Sequence, residues 1–260
     1  MRLILDAQGA FQNVVLALGM FDGVHIGHRV LLQKAKKLAN DKGEPLVALT
    51  FAEHPMALVA PDRCPPMLST LDERAKLMEA LGVDVLCALP FDRRVMTTPP
   101  EAYVGELVRR FHPTDIVCGY NHTFGKGGAG TPAFLSVLGD ALGFQTVVVP
   151  KITLGGREVS STAIRALLAS GDVKAARELL GRPYDRHVTV AARDGERTVL
   201  MLTPNGKQDV GAGRYRALLE LPSKRMPVTV LTQPDGRAQC RVPQSVEAHA
   251  EGTLLFLVRS

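Results

Sequence analysis

From Val14 to about Pro150, short uninterrupted apolar runs alternate with longer segments of helical periodicity. Val14–Leu18, Leu46–Phe51, Asp84–Leu89, Asp115–Gly119 and Phe144–Val149 read as strands buried on both faces, because they lack the polar alternation of a half-exposed strand. Between them lie four helical patterns. One runs through Val30–Leu38, one toward Leu81 before Gly82, one from Pro99-Pro100-Glu101 to Phe111, and one from Thr131-Pro132 toward Leu142. Strand–helix alternation of this kind predicts a parallel sheet covered by helices on both sides. Ligands of such sheets collect at the carboxyl ends of the strands, and the polar-rich stretches here fall after Leu18, Thr50, Val117 and Val149.

After Tyr184 the texture changes. Six short β-like runs (His187–Ala192, Thr198–Thr203, Tyr215–Leu221, Val228–Thr232, Ala238–Val242 and Thr253–Val258) are divided by Asp-Gly, Asn-Gly, Pro and Gly turn signals. They predict a small antiparallel barrel or sandwich. The expected domains are therefore residues 1–184 and 186–260, with the boundary in Arg182-Pro183-Tyr184-Asp185-Arg186.

Composition narrows the partners. A net charge of +5 over 260 residues suits small anions but does not by itself imply DNA or RNA. Without Trp and with few aromatics, a base-stacking surface for single strands is not expected. Much of the positive excess sits at the end, where residues from Arg186 onward include 11 basic and 7 acidic side chains. Cys64, Cys87, Cys118 and Cys240 are scattered and form no CxxC pair, and Cys87 and Cys118 lie in apolar strand-like runs, so buried free thiols are expected there. No leader-like apolar region opens the chain and no run has a membrane-spanning length, so a cytoplasmic protein without a membrane partner is expected.

The densest chemistry follows the first of the five strands, in Gly19-Met-Phe-Asp-Gly-Val-His-Ile-Gly-His28. His25 and His28 sit where a strand gives way to a helix, and there unpaired N–H groups and the helix dipole favour an anion. Gly27 lets a phosphate approach the backbone, and two imidazoles can donate to phosphoryl oxygens during transfer. This HxGH pattern is the signature of the nucleotidylyltransferase superfamily. Two ordinary histidines in a turn are the competing reading, disfavoured by the strand–turn–helix setting and by Phe21-Asp22-Gly23 just before.

Three further stretches bear polar groups. In Thr50-Phe51-Ala52-Glu53-His54-Pro55, His54 could meet substrate and Phe51 a flat ring, or they could form a plain His-Pro turn beside a core Phe. Gly119 to Gly130 holds five glycines with Asn121, His122, Phe124 and Lys126, and resembles a mobile phosphate- or base-contacting loop or a flexible surface turn. In Val159-Ser-Ser-Thr-Ala-Ile-Arg165, Ser160 or Ser161 is a natural N-cap and Arg165 can fork onto a phosphate; a capped helix with a solvated arginine is the blander outcome.

In order and spacing, GMFDGVHIGH, TFAEHP, GYNHTFGKGGAG and VSSTAIRALLASGDVKAARELLGRPY closely resemble the FAD synthetase (FMN adenylyltransferase) module of bacterial bifunctional riboflavin kinase/FAD synthetases, over about residues 14–184. The resemblance implies a Rossmann-like α/β nucleotidylyltransferase domain that makes FAD and pyrophosphate from FMN and ATP with Mg²⁺. It assigns His25 and His28 to phosphate, Asn121 to the nucleotide and the metal, and Ser161, Thr162 and Arg165 to the triphosphate. Gly19, Phe21, Asp22, Gly23 and Gly27 fall to the ATP side, and Phe51, His54, Pro55 and Phe124 to the flavin side. The chain departs from the family's pattern in one place, since His122 stands where Phe is usual. The family's second domain, a barrel that phosphorylates riboflavin, usually carries Pro-Thr-Ala-Asn. Here the corresponding region reads Arg193-Asp194-Gly195-Glu196-Arg197, then Leu202-Thr203-Pro204-Asn205-Gly206, which has the wrong order for the motif and suits a hairpin, while Gly211-Ala212-Gly213-Arg214-Tyr215 and Val246-Glu247-Ala248-His249 only faintly echo later parts of the kinase barrel. A kinase-derived barrel without kinase chemistry is expected. Transfer to another phosphate substrate and a non-catalytic flavin- or nucleotide-binding regulator are the alternatives.

Overall fold

A computed structural model describes residues 1–4, 11–194, 197–235, 237–240 and 249–260; Gly195, Glu196 and Glu247 lie outside the described residues. The chain forms two compact units, one of residues 1–65 and 71–152, the other of residues 66–70 and 153–260.

The first unit contains strands β1 (Arg2–Ile4), β2 (Val14–Leu18), β3 (Leu46–Phe51), β4 (Val85–Leu89), β5 (Pro113–Gly119) and β6 (Gln145–Val149). Its helices are α1 (Ile26–Lys42), the single turn α2 (Met56–Val59), α3 (Leu71–Glu79), α4 (Arg93–Thr97), α5 (Pro100–Phe111) and α6 (Pro132–Leu142). All strands pair in parallel in the order β1-β4-β3-β2-β5-β6. Five of the six match the predicted runs; β1, only three residues long, carries no period to read.

The period of two along β2 divides the core. Val14, Leu16 and Leu18 face a cluster with Val104, Leu107 and Phe111 of α5 and Leu135 of α6. Val15 and Ala17 face the opposite cluster, with Leu31, Leu32, Ala35 and Ala39 of α1 and Met78 of α3. Both faces are covered, which is why these strands are apolar throughout. The chain leaves β2 toward β3 on one side and returns to β5 on the other, so the crevice where strand order reverses lies at the carboxyl end of β2.

The second unit begins with a short hairpin of β7 (Thr153–Leu154) and β8 (Arg157–Glu158), then α7 (Ser161–Ser170) and α8 (Val173–Leu180). A closed antiparallel barrel follows, built from β9 (Tyr184–Asp194), β10 (Arg197–Leu202), β11 (Gly213–Leu221), β12 (Lys224–Thr232), β13 (Arg237–Cys240) and β14 (Glu251–Arg259) in the order β10-β13-β12-β11-β14-β9. Tyr215, Ala217 and Leu219 of β11 turn inward, and the Tyr215 ring meets Phe256 edge-on at 5.5 Å.

The main segment of this unit starts at residue 153, ahead of the change in sequence texture, because α7 and α8 pack with the barrel. α8 buries Val173, Ala176, Leu179 and Leu180. The Arg259 guanidinium donates to the Ser170 carbonyl at 2.7 Å, and the Gly211 N–H donates to Leu168 O at 2.9 Å. Gly171 ends α7 at φ +82, and a Cβ there would lie 2.5 Å from the Tyr215 hydroxyl.

Residues 203–210 form a cross-connection over the barrel, with no hairpin, since β10 and β11 are not neighbours. The Asn205 side chain accepts from the Lys207 N–H at 3.3 Å. Arg186 pairs with Asp209 and donates to Thr203 O at 2.9 Å, while the buried Lys207 ammonium meets Asp185 at 3.0 Å and lies over the Tyr184 ring. The four cysteines are unpaired; Cys87 and Cys118 are buried within β4 and β5, Cys240 is buried in the barrel, and Cys64 is half-buried. Among the described residues no helix is long and apolar enough to cross a membrane.

The two-faced core makes a direct prediction. Leu16→Ala, at the fully buried centre of β2, is expected to lower unfolding free energy in urea by about 2–5 kcal/mol. Val137→Ala, at a position 64% exposed on α6, should change it by less than about 0.5 kcal/mol. Equal effects would contradict this division of core from surface.

Candidate active site

The turn leaving β2 is folded against local preference. Phe21 and Val24 are buried at φ 50 and φ 40, with Gly23 at φ 75 between them. A β-branched residue in the left-handed region is strained, on the order of 1–3 kcal/mol, and needs its surroundings to hold it there. A Cβ on Gly19 would come within 3.1 Å of the Phe21 ring, so glycine admits that ring.

His25 then adopts an extended backbone and caps α1, its Nδ1 accepting from the His28 N–H at 3.2 Å. That bond requires an unprotonated Nδ1, so the neutral ring carries its proton on Nε2. The two imidazoles stack 3.6 Å apart at 12°, and Phe21 meets His28 edge-on at 5.3 Å. The affinity of His28 for a proton is held well below that of ordinary histidine, first by burial, then by His25 and Arg74. His28 Nδ1 is buried and makes no hydrogen bond among the described residues. A neutral, stacked pair at a helix start can present ring N–H groups, together with backbone N–H groups, to an anion.

Motif reading misses Arg74 on α3. It is 1% exposed, and its guanidinium donates to Met20 O at 3.1 Å, Thr50 Oγ1 at 3.2 Å, Phe51 O at 2.9 Å and Ala52 O at 2.7 Å. A signal is present: Leu71, Arg74 and Met78 share the three-to-four spacing of a buried stripe, and an arginine stands in it. Beyond β3, Phe51 packs edge-on against Phe91 at 5.0 Å. His54 Nδ1 accepts from the Met56 N–H at 3.1 Å, and Pro55 precedes the short α2, as a His-Pro turn would.

The glycine-rich stretch after β5 is pinned against its own unit. The Lys126 N–H donates to Thr98 O at 2.7 Å, and Phe124 and Gly130 bridge through mutual backbone bonds. Gly130 lies so close to the Phe124 ring that a Cβ would sit 2.4 Å from it. Phe124 itself is a core residue, stacked between Tyr103 and His122 at 5.9 Å from each. His122 Nε2 is buried with no hydrogen-bond partner among the described residues, and burial lowers the ring's proton affinity to a pKa of about 4. Asn121 is exposed at the end of β5.

In the second unit, Ser160 is the N-cap of α7, its hydroxyl accepting from the Ala163 N–H at 3.2 Å. Ser161 and Thr162 occupy the first turn, whose N–H groups and dipole favour an anion. One turn on, Arg165 Nε donates to Pro66 O at 2.6 Å, which orients the guanidinium. His25, His28, Phe51, His54, Asn121 and Phe124 belong to the first unit, and Ser161, Thr162 and Arg165 to the second.

Residues 7–163 match a protein family described as FAD synthetase. Over 195 residues the chain is 34% identical to a bifunctional riboflavin kinase/FMN adenylyltransferase of Listeria monocytogenes, covering 74% of this chain and 62% of that protein. Its Bacillus subtilis counterpart is 35% identical over 65% of this chain and 54% of its own length. This chain therefore spans less than two thirds of these bifunctional relatives. A protein of L. monocytogenes named FAD synthetase is 34% identical, covering 72% of this chain and 75% of its own. The fold is shared with a solved structure described as a macrolide-efflux protein from Streptococcus pneumoniae, at a TM-score of 0.88 and 23% identity over all of this chain and 91% of that one.

The two neutral rings, His28 and His122, each half-buried with one ring nitrogen shut off from water, set a pH dependence for the free protein. In the unfolded chain each imidazole takes a proton near 6.5, whereas His122 in the fold resists until about 4 and His28 until well below its ordinary value. The stability they allow is complete above about pH 6.5 and declines as pH falls toward the lowered values, because the unfolded state binds more protons. Urea midpoints between about pH 7.5 and 4.5 are expected to fall, and less so in His122→Phe. An unchanged slope in that variant would contradict the assignment.

Proposed function

Because the chain belongs to the FAD synthetase family, we propose that it joins FMN to the adenylyl group of ATP, releasing FAD and pyrophosphate. The observation that carries this reading is the neutral His25–His28 stack at the start of α1. An oxygen of the FMN phosphate attacks the α-phosphorus of ATP. As that P–O bond forms, the bond from the α-phosphorus to the bridging oxygen breaks, and pyrophosphate leaves with the electron pair. The chain needs no nucleophile of its own for such a step; it must align the reactants and stabilise charge on the phosphoryl oxygens.

In this reading His25 donates from Nε2 and His28 satisfies its unpartnered ring nitrogen against a phosphate. Gly19, Phe21, Asp22, Gly23 and Gly27 shape the turn that receives ATP. Ser161 and Thr162, in the first turn of α7, and Arg165 hold the triphosphate. Phe51, His54 and Pro55 form the flavin side, with Phe124 contributing from the core as the support beneath Tyr103 and His122. Among the described residues of the first unit no three His, Cys, Asp or Glu groups converge as a metal cage. The exposed Asn121 amide oxygen fits a Mg²⁺ that keeps waters and phosphates as its other ligands. When bound, Mg²⁺ would neutralise phosphate charge. ATP and FMN, as small-molecule partners, follow from the proposed reaction, and a reducing cytoplasm accords with four unpaired thiols.

The test is incubation of the full chain with ATP, Mg²⁺ and FMN, followed by chromatography. FAD and pyrophosphate in equal amounts are expected; their absence from folded protein would refute the proposal, and turnover of a different phosphate would redirect it. His28→Ala should lower turnover about 10²–10³-fold, the usual cost of one donor to a developing charge, and leave FMN binding nearly intact. Arg165→Ala should mainly weaken ATP, because a guanidinium also meets ground-state phosphates.

We further propose that the barrel does not phosphorylate riboflavin. Asn205 spends its side-chain oxygen on a local turn, Pro204 has no N–H to donate, and Arg186 and Lys207 hold the same stretch with buried cationic groups. Riboflavin with ATP and Mg²⁺ should yield no FMN; robust FMN formation would contradict this.

A further inference from the structure

Arg74 is a fully buried cation that the roles above leave unused. Its place in the apolar stripe of α3 could be filled by Met or Leu, and burying a guanidinium there is costly unless its hydrogen bonds are specific. They are specific. Met20 belongs to the turn that follows β2 and leads to His25 and His28, whereas Phe51 and Ala52 belong to the end of β3, next to His54. The Thr50 hydroxyl accepts from Arg74 and donates to Met20 O at 2.9 Å, so the same guanidinium ties both segments directly and through one side chain. The last backbone bond between these segments runs from the Gly19 N–H to Leu49 O at 3.3 Å, and the guanidinium extends the tie beyond it, to the carbonyls of Met20, Phe51 and Ala52. The planar fork sets these distances in a way a flexible ammonium does not. Burial loosens the guanidinium's hold on its proton and Asp22 offsets part of that; after burial and His25, the Arg74 charge in turn opposes protonation of His28.

We propose that Arg74 is a positioning residue for the transfer reaction, fixing the spacing between the turn that carries His25 and His28 and the end of β3 that carries Phe51 and His54. This rests on the reading of those two segments as the phosphate and flavin sides. Each side binds its own part of a substrate, so a change in spacing weakens alignment more than binding. A displacement of about 1 Å can cost on the order of 10² in rate.

The experiment compares Arg74→Lys, Arg74→Met and Thr50→Val with the wild-type full chain. It measures kcat and KM for ATP and FMN, thermal stability, and the titration of ¹⁵N-labelled histidines. In both Arg74 variants kcat is expected to fall about 10²-fold with both KM values within roughly threefold, the pattern of lost transition-state alignment. Thr50→Val should shift kcat in the same direction by less. The His28 titration should move up in Arg74→Met, which reports the lost charge, and stay near wild type in Arg74→Lys, so that a fall in kcat with unchanged KM in Arg74→Lys is assigned to lost spacing and not to lost charge. If Arg74→Met fails to fold, Arg74→Lys and Thr50→Val decide. Wild-type kcat in the folded variants, with only a lower melting temperature, overturns the proposal. A wild-type chain that forms no FAD defeats the functional reading itself, and is thereby told apart from an active wild type with unaffected variants.

Discussion

The bond from the His28 N–H to His25 Nδ1 is the hinge of the first unit's chemistry. It begins α1 directly after a turn in which Phe21 and Val24 are forced to positive φ. It also decides which nitrogen of His25 carries a proton, and it brings the two rings into a stack at 3.6 Å. Two imidazolium rings at that separation would repel strongly in a site shielded from water. That excludes double protonation; the acceptor role of His25 Nδ1 and the burial that opposes protonation of His28 leave the pair neutral, and in the proposed reaction an arriving phosphate would meet donors that need no reorganisation.

That hinge sits where sheet topology puts it. β2 lies between β3 and β5, so the chain around its carboxyl end faces the crevice where strand order reverses. The strain of the turn is offset by its surroundings: the Phe21 ring is buried, Gly19 admits it, and Arg74 holds Met20 against the end of β3. Fold and chemistry depend on the same few buried contacts here. The second unit follows a different logic, with an inward-facing aromatic pair in the barrel and a cross-connection tied down by Arg186 and Lys207.

Much of this is readable in the chain because periodicity reports burial. The continuous apolar runs mark five parallel strands to within about two residues at either end, since both faces of those strands are covered by helices. The β-like runs after Tyr184 likewise correspond to barrel strands among the described residues. Position along the chain is less informative about packing: α7 and α8 read as a continuation of the α/β pattern, yet they bury their apolar faces in the second unit. The glycines after β5 suggest mobility, but Gly130 is there to admit the Phe124 ring. Nothing in a valine announces φ 40 at Val24. Arg74 leaves a trace as a charge in an apolar stripe, but its acceptors are mostly backbone carbonyls, which no residue pattern can display.

The central claim is that His25 and His28 form a neutral pair in which His25 carries its proton on Nε2. Nitrogen NMR of ¹⁵N-histidine-labelled protein at neutral pH tests it most directly. The account predicts for His25 a bare, hydrogen-bond-accepting Nδ1 with the proton on Nε2, and for His28 a ring that stays neutral well below the pH at which free histidine titrates. A protonated Nδ1 on His25, or an imidazolium at His28 near neutrality, would contradict it.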